Sequence, residues 1–193
     1  MRGLLVVVAG PSGAGKGTIV RRLLELNPEL HFSVSMTTRA PRPGEIDGRE
    51  YRFVSHDEFL RVRDAGGFLE WFEVYGDLKG TPRAAVEREL AAGHDVLLEI
   101  DVQGARAVKE QFPDALLIFV KPPSREVQRR RYLERHRDDP NFDPADLERR
   151  LGEADAEEAL VDDFDAVVVN DDLERAVEDV AAILTRRRSQ RLT

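Results

Sequence analysis

Cysteine is absent from the 193 residues. Disulfides, thiolate metal centres and a cysteine nucleophile are thereby excluded. Long hydrophobic runs are missing as well. The first apolar run, Leu4 to Ala9, is far shorter than the roughly 20 residues a membrane helix needs. It is also too short for a secretion signal, and a glycine-rich stretch follows it at once. Positive charge is not in excess: the formal net charge is −8, which argues against a dedicated polyanion binder. A cytoplasmic protein with neither nucleic acid nor membrane as a partner is the expectation. Lysine is scarce, being confined to Lys16, Lys79, Lys109 and Lys121, and arginine supplies the other basic side chains. Arginine gives bidentate phosphate contacts where lysine gives a point charge, although genome composition would produce the same bias.

What is present begins with Gly10-Pro11-Ser12-Gly13-Ala14-Gly15-Lys16-Gly17, directly after Leu4 to Ala9. Gly10, Gly15 and Lys16 match the G-x-x-x-x-G-K core of the phosphate-binding loop. Such a loop must turn successive backbone N–H groups toward phosphate oxygens, which Gly13 and Gly15 permit. The helix that follows points its positive end at the anion, and Lys16 adds a charge that can follow the β- and γ-phosphates. The position after Lys16 is Gly17, so the usual magnesium-ligating hydroxyl is missing, and Thr18 stands one residue further on. The segment predicts binding of a nucleoside triphosphate by Gly10 to Thr18 and leaves open what is done with the nucleotide.

Apolar runs alternate with helical patterns, which predicts an α/β fold with a parallel sheet flanked by helices. Strands are predicted at Leu4–Ala9, Phe32–Ser35, Asp95–Ile100, Ala115–Val120 and Ala166–Val169. Helices are predicted at about Gly17–Leu26, Pro82–Ala92 with Thr81 as a possible cap, Gln103–Phe112, Ser124–Arg135, Pro144–Leu160 and Leu173–Arg187. Residues 36–81 break this rhythm. They are rich in Arg, Gly and Pro and contain β-like pieces at Tyr51–Val54 and Phe68–Val74, as an inserted lobe would. Residues 136–145 are polar and carry prolines between two helices, as expected of a lid. The expected division is a core of 1–35, 82–125 and 152–193, an inserted lobe of 36–81 and a lid of 126–151.

Two arginine clusters stand out. Arg39 and Arg42 flank Pro41, with Arg49, Tyr51 and Arg52 following, and guanidiniums and a phenol with few neighbouring carboxylates would suit a second phosphate. Arg129, Arg130, Arg131 and Arg135 precede the lid segment, and Arg149 and Arg150 follow it. Either cluster also reads as a solvated basic face. Asp101 ends a buried strand, where α/β proteins place ligand-binding groups, where an acid after a phosphate loop serves magnesium, and where a helix cap is equally at home. Glu70, between Leu69 and Trp71, also fits the solvent face of an alternating strand.

The motifs Gly10-Pro-Ser-Gly-Ala-Gly-Lys16, Ser33-Val-Ser-Met-Thr-Thr-Arg-Ala-Pro-Arg42, Asp47-Gly-Arg-Glu-Tyr51, Phe68-Leu-Glu-Trp71, Leu98-Glu-Ile-Asp-Val-Gln-Gly104, Lys121-Pro-Pro-Ser124 and Val169-Asn-Asp-Asp-Leu173 occur in that order. Together they resemble the guanylate kinase family, the Thr-Thr-Arg-x-Pro-Arg and Ile-Asp-x-Gln-Gly elements being the most specific. The resemblance covers one domain over residues 4–184. It implies a P-loop NTPase-type core with a small inserted α+β lobe that binds GMP and a helical lid. It further implies transfer of the γ-phosphoryl group of ATP to GMP, and to dGMP, with Mg2+ as cofactor, ATP and GMP as small-molecule substrates, and a place in purine nucleotide metabolism. Arg39, Arg42 and Tyr51 would then hold the GMP phosphate. Ser35, Glu70, Thr81 and Asp101 would read guanine, whose N1–H and amine donors suit carboxylates. Arg131, Arg135 and Arg150 would close on the γ-phosphate, with Arg137 and Arg149 as competitors, and Asn170 would lie near adenine. Where the family has a tyrosine before Gly-Thr this chain has Lys79, a cation that would still suit GMP phosphate; Tyr75 is nearby but out of register. With Gly17 in the loop, magnesium would be held by phosphates and waters, with Asp101 or Glu99 in the outer shell and no direct protein ligand. A kinase for another monophosphate or phosphorylated small molecule, or a non-catalytic interaction domain of the same fold, are the alternatives.

Overall fold

A computed structural model describes residues 2–42, 44–74, 76–137 and 143–192. The chain enters through β1 (Leu5–Ala9), whose residues are all buried, and passes by the glycine loop into α1 (Lys16–Leu26). A near-continuous apolar strand is what a sheet covered on both faces requires. Four further strands join it, β2 (Leu30–Phe32), β7 (Asp95–Glu99), β8 (Leu116–Lys121) and β9 (Ala166–Val169), in the order β2-β7-β1-β8-β9. Every pairing in this sheet is parallel. Alternate residues of the strands feed two cores. Val6, Val8, Leu97, Ile118 and Val120 pack toward α1 and α7 (Leu173–Leu192) with Ile19, Leu23, Val177 and Val180. Leu5, Val7, Val96, Leu98 and Leu117 pack toward α3 (Arg83–Ala92) and α4 (Val102–Gln111) with Val86, Leu90, Ala105 and Val108.

Between β2 and α3 the chain builds a second sheet of β3 (Met36–Thr37), β4 (Arg52–Phe53), β5 (Phe68–Val74) and β6 (Asp77–Pro82), ordered β4-β3-β6-β5. It has its own small core of Met36, Phe59, Phe68 and Leu78, with the Phe59 and Phe68 rings stacked at 4.4 Å. Helix α2 (His56–Asp64) covers it. After β8, α5 (Arg125–Arg135) and α6 (Pro144–Glu158) are tied together by Arg129–Glu148 at 2.5 Å and by Arg125, which pairs with both Asp155 and Glu158. Among the described residues no helix is long and apolar enough to cross a membrane.

The parallel sheet and its helices follow the pattern expected of the sequence, with differences at the crossings between the two sheets. Of the expected strand Phe32–Ser35 only Phe32 lies in a strand. β2 ends at Phe32, the Ser33 N–H still donates to the Leu97 carbonyl at 3.0 Å, and pairing resumes in the other sheet at Met36. Helix α2 was not expected. Ser55 caps it by accepting from the Glu58 N–H at 3.2 Å, and Asp57 and Glu58 lie in its first turn where negative charge is favoured. Strand β6 takes Pro82 as its last residue, so α3 starts at Arg83 and Thr81 is no cap. Helix α6 stops at Glu158, a short 3-10 turn covers Val161–Asp163, and α7 runs on to Leu192.

Candidate active site

The carboxyl ends of β1 and β7 lie side by side, with Val8 paired to Glu99. This is where open parallel sheets bind ligands. The glycine loop curls over that edge. Gly10, Gly13 and Gly15 all have positive φ, at 138°, 82° and 88°. Each also meets a different neighbour: a Cβ would stand 2.0 Å from the Val120 carbonyl oxygen at Gly10, 2.9 Å from that of Gln128 at Gly13, and 2.3 Å from Nδ2 of Asn170 at Gly15. The loop is therefore glycine for reasons of space as well as backbone conformation.

Two buried amides brace the loop from outside. Gln128 on α5 donates from Nε2 to the Ser12 carbonyl at 2.8 Å, and Asn170 donates from Nδ2 to the Ala14 carbonyl at 2.8 Å. Asn170, expected near adenine, thus also holds loop backbone. Gln128 was passed over in the sequence because nothing in an arginine-rich helix distinguishes it. The Lys16 ammonium donates to the carbonyls of Gly10 at 2.5 Å and Pro11 at 3.0 Å. Its burial lowers its pKa, against the attraction of Glu99 and Glu157. Gly17 and Thr18 are exposed on the first turn of α1, and a Cβ on Gly17 would stand 3.4 Å from Oε2 of Glu99.

Facing the loop, β5 and β6 set Glu70 opposite Thr81. The Thr81 hydroxyl donates to Oε1 of Glu70 at 2.5 Å, and both side chains are buried. Oε2 of Glu70 turns the other way. A Cβ on Gly104 would meet it at 3.1 Å and Oδ1 of Asp101 at 3.3 Å, so only glycine lets these two carboxylates approach one point. Burial pushes the Glu70 carboxyl up to about 7, against the Thr81 hydrogen bond and the Lys79 charge. Of the roles open to Asp101 in the sequence, the helix cap is the one seen directly. It caps α4, accepting from the Gly104 N–H at 2.7 Å, and it lies beside Glu70. Ser35 is buried, and the pairing of Met36 with Gly80 continues it alongside Thr81.

The arginine seat differs from expectation in one respect. Carboxylates are present in it. Nη2 of Arg39 lies 3.0 and 2.9 Å from the two oxygens of Glu45, which also accepts from the Arg42 N–H at 2.8 Å. Glu50 pairs with Arg49. Glu45 shapes the Arg39–Arg42 turn, a task that leaves no periodic trace in sequence. The Arg39 guanidinium stands 5.4 Å from the Tyr51 ring centre, and the Lys79 ammonium 5.2 Å from it. Burial works to lower the pKa of Lys79, but Tyr51, Asp101, Glu99 and Glu70 together raise it above the usual lysine range. Tyr75 lies outside the described residues.

Arg42 lies between this cluster and the helices α5 and α6. Burial lowers its pKa, and after burial the charges of Arg135, Arg39 and Arg150 act in the same direction, with Glu45 opposing. Cations gathered from three separate segments against their own repulsion make a place for a multiply charged anion. Arg131 reaches the loop, with Nη1 3.5 Å from the Ala14 carbonyl. Arg150 stands 5.7 Å from the Tyr132 ring centre, whereas Arg137 and Arg149 are exposed. Lys16 feels both Lys79 and Arg135, so the loop, the second sheet and the end of α5 converge on one volume.

Known proteins resemble this chain in sequence and in fold. The family described as "Guanylate kinase" matches residues 2–187. A guanylate kinase of Symbiobacterium thermophilum is 52% identical over 191 residues, covering 98% of this chain and 88% of that protein. One of Rubrobacter xylanophilus is 51% identical over 185 residues, covering 96% of this chain and 95% of its own length. The crystal structure of guanylate kinase from Anaplasma phagocytophilum superimposes with a TM-score of 0.79 at 34% identity, over 96% of this chain and 86% of that one. Likeness of that depth, over almost the full length and in both sequence and structure, shows that the chain belongs to the guanylate kinase family.

Proposed function

We propose that the chain transfers the γ-phosphoryl group of ATP to GMP, and to dGMP, with the roles set out here. The observation that carries the guanine assignment is the buried pair Glu70 and Thr81 with Asp101 drawn to the same point at Gly104. Ionised carboxylates accept from the N1–H and amine of guanine; adenine has no such donor pair and would leave them unpaired. Arg39, Arg42, Tyr51 and Lys79 seat the acceptor phosphate, and Ser35 supports the base from the neighbouring strand.

The loop from Gly10 to Thr18 takes the triphosphate of ATP, with Asn170 bordering the nucleotide while bracing the loop. An oxygen of the GMP phosphate is already ionised at neutral pH, so no side chain need remove a proton. Lys16 follows the transferring phosphoryl group, and Arg131, Arg135 and Arg150 neutralise the charge that spreads over it. Residues 36–81 act as the acceptor lobe and 126–151 as the lid, whose approach excludes water and limits wasteful hydrolysis of ATP. The residues present suit Mg2+. The Glu99 carboxylate offers a hard oxygen against the open space at Gly17, with Asp101 two residues on. Glu99 and Asp101 would hold the ion through water in its outer shell; when bound, it draws charge from the phosphate oxygens.

A coupled assay with ATP, comparing GMP, dGMP, AMP, UMP and CMP, tests the assignment. Turnover of GMP and dGMP with little of the others is expected; AMP or UMP turned over as well as GMP would end the guanine reading.

A further inference from the structure

At the opposite end of the parallel sheet three side chains aim at one place. His31 lies on β2, Glu89 near the end of α3, and His94 in the turn between α3 and β7. Nδ1 of His31 is 3.1 Å from Oε2 of Glu89, and Nδ1 of His94 is 3.0 Å from the same oxygen. All three atoms lie within 4.8 Å of one another. Metal–ligand bonds of about 2.0–2.2 Å put neighbouring donors roughly 3 Å apart, which is the spacing of each histidine Nδ1 from Oε2 of Glu89. The strand partners of this end are Leu30 and Asp95, whereas the phosphate loop, Glu99 and Asp101 belong to the other end. Phosphoryl transfer makes no use of this cluster.

We propose that His31, Glu89 and His94 form a binding site for a divalent transition metal of the Zn2+ or Ni2+ type, with water completing its shell. Two imidazoles and one carboxylate suit these ions and not the all-oxygen preference of Mg2+ or Ca2+. Glu89 is prepared for the role. Arg88 occupies Oε1 at 3.2 Å, so Oε2 is the oxygen directed at the histidines. The two rings lie stacked, 4.2 Å apart and inclined by 16°. Aiming both lone pairs at one ion requires them to open into a wedge. The side chains are 38% and 43% exposed, so rotation about their own bonds suffices.

The position gives such an ion a consequence. His31 is on the strand by which the chain leaves the parallel sheet for the second sheet, and Glu89 and His94 lie on the helix by which it returns and in the turn after it. A bound ion joins the outgoing and returning segments and stabilises the folded protein by mass action.

The test is a titration of the full chain with ZnCl2 in Mg2+ buffer, followed by histidine ring NMR and thermal unfolding. Zn2+ is expected to move the ring signals of His31 and His94, leave those of His56 and His136 in place, and raise Tm. His31→Ala and His94→Ala should each weaken binding by at least about tenfold, since loss of even an outer partner of a metal ligand costs that much. The Tm rise should vanish with unchanged Mg2+-dependent kinase activity, which also shows the variants to be folded; His31→Gln serves the same purpose with less disturbance of β2. Zn2+ binding that is undiminished in the double variant, or His31 and His94 signals that stay still while Zn2+ binds, overturns the proposal.

Discussion

Glu70 is asked to be both buried and charged, and the two demands conflict. Burial holds its carboxyl at about 7, far above the ordinary carboxylate value of 4.5. A folded-state pKa raised above the unfolded one contributes stability below pH 4.5 that is lost as pH rises through about 7. The shift corresponds to roughly 3 kcal/mol. Glu70→Gln is therefore expected to be more stable than the parent protein, by a margin that grows between pH 5 and pH 8. Denaturant unfolding of both proteins across that range measures it; a constant margin would contradict the burial argument. The same substitution should lower kcat/KM for GMP by one to two orders of magnitude, about the loss of a charged hydrogen bond, while leaving KM for ATP nearly unchanged. For the parent, GMP binding should weaken as pH falls below 7, because the base requires the ionised form.

At the scale of elements, the phosphate loop shows how a strained segment is held in place. Removing the Asn170 amide should loosen it from one side only. Asn170→Ala is expected to raise KM for ATP by about tenfold, a hydrogen bond's worth, with little change in KM for GMP. Equal changes in both constants would mean that the fold, and not the loop, had been damaged. Gly17→Ser, by contrast, should be tolerated: the nearest atom to a new Cβ is a carboxylate oxygen at 3.4 Å, and the residue lies in a helix where glycine is unfavourable. Steady-state assays and thermal unfolding of the two variants distinguish these cases. The loop is legible in the sequence by its glycine and lysine spacing, and β1, β7 and β8 because burial on both faces leaves continuous apolar runs. The second sheet is much less so. β3 and β4 have two residues each, too few for any period, and Thr81 is read as a cap when it serves instead as the partner of Glu70. Helix α2 did leave a signal, Ser55-x-x-Glu58, in the stretch between the expected β-like pieces Tyr51–Val54 and Phe68–Val74. Glu45 and Gln128 act on backbone far from any motif pattern, and only three-dimensional contact shows them.

Across the whole molecule the stabilising contacts are unevenly shared. The parallel sheet has a core on each face, while the second sheet rests on Met36, Phe59, Phe68 and Leu78 with a few partly buried neighbours. Local stability should follow the same division. Phe59 is fully buried, so Phe59→Ala is expected to cost about 3–5 kcal/mol, concentrated in the second sheet. Hydrogen exchange should then quicken over residues 36–82, GMP affinity should fall, and ATP should still bind; uniform acceleration over the whole chain would argue that the two sheets unfold as one. The loop glycines, wedged against Val120, Gln128 and Asn170, belong to this larger picture too. Those three neighbours come from β8, from α5 and from the end of β9, segments that lie more than a hundred residues further along the chain. Grafting Gly10 to Gly17 onto another strand-and-helix scaffold would therefore carry over the letters without the clearances, and a working transplant must bring with it the three surfaces that the loop was cut to fit.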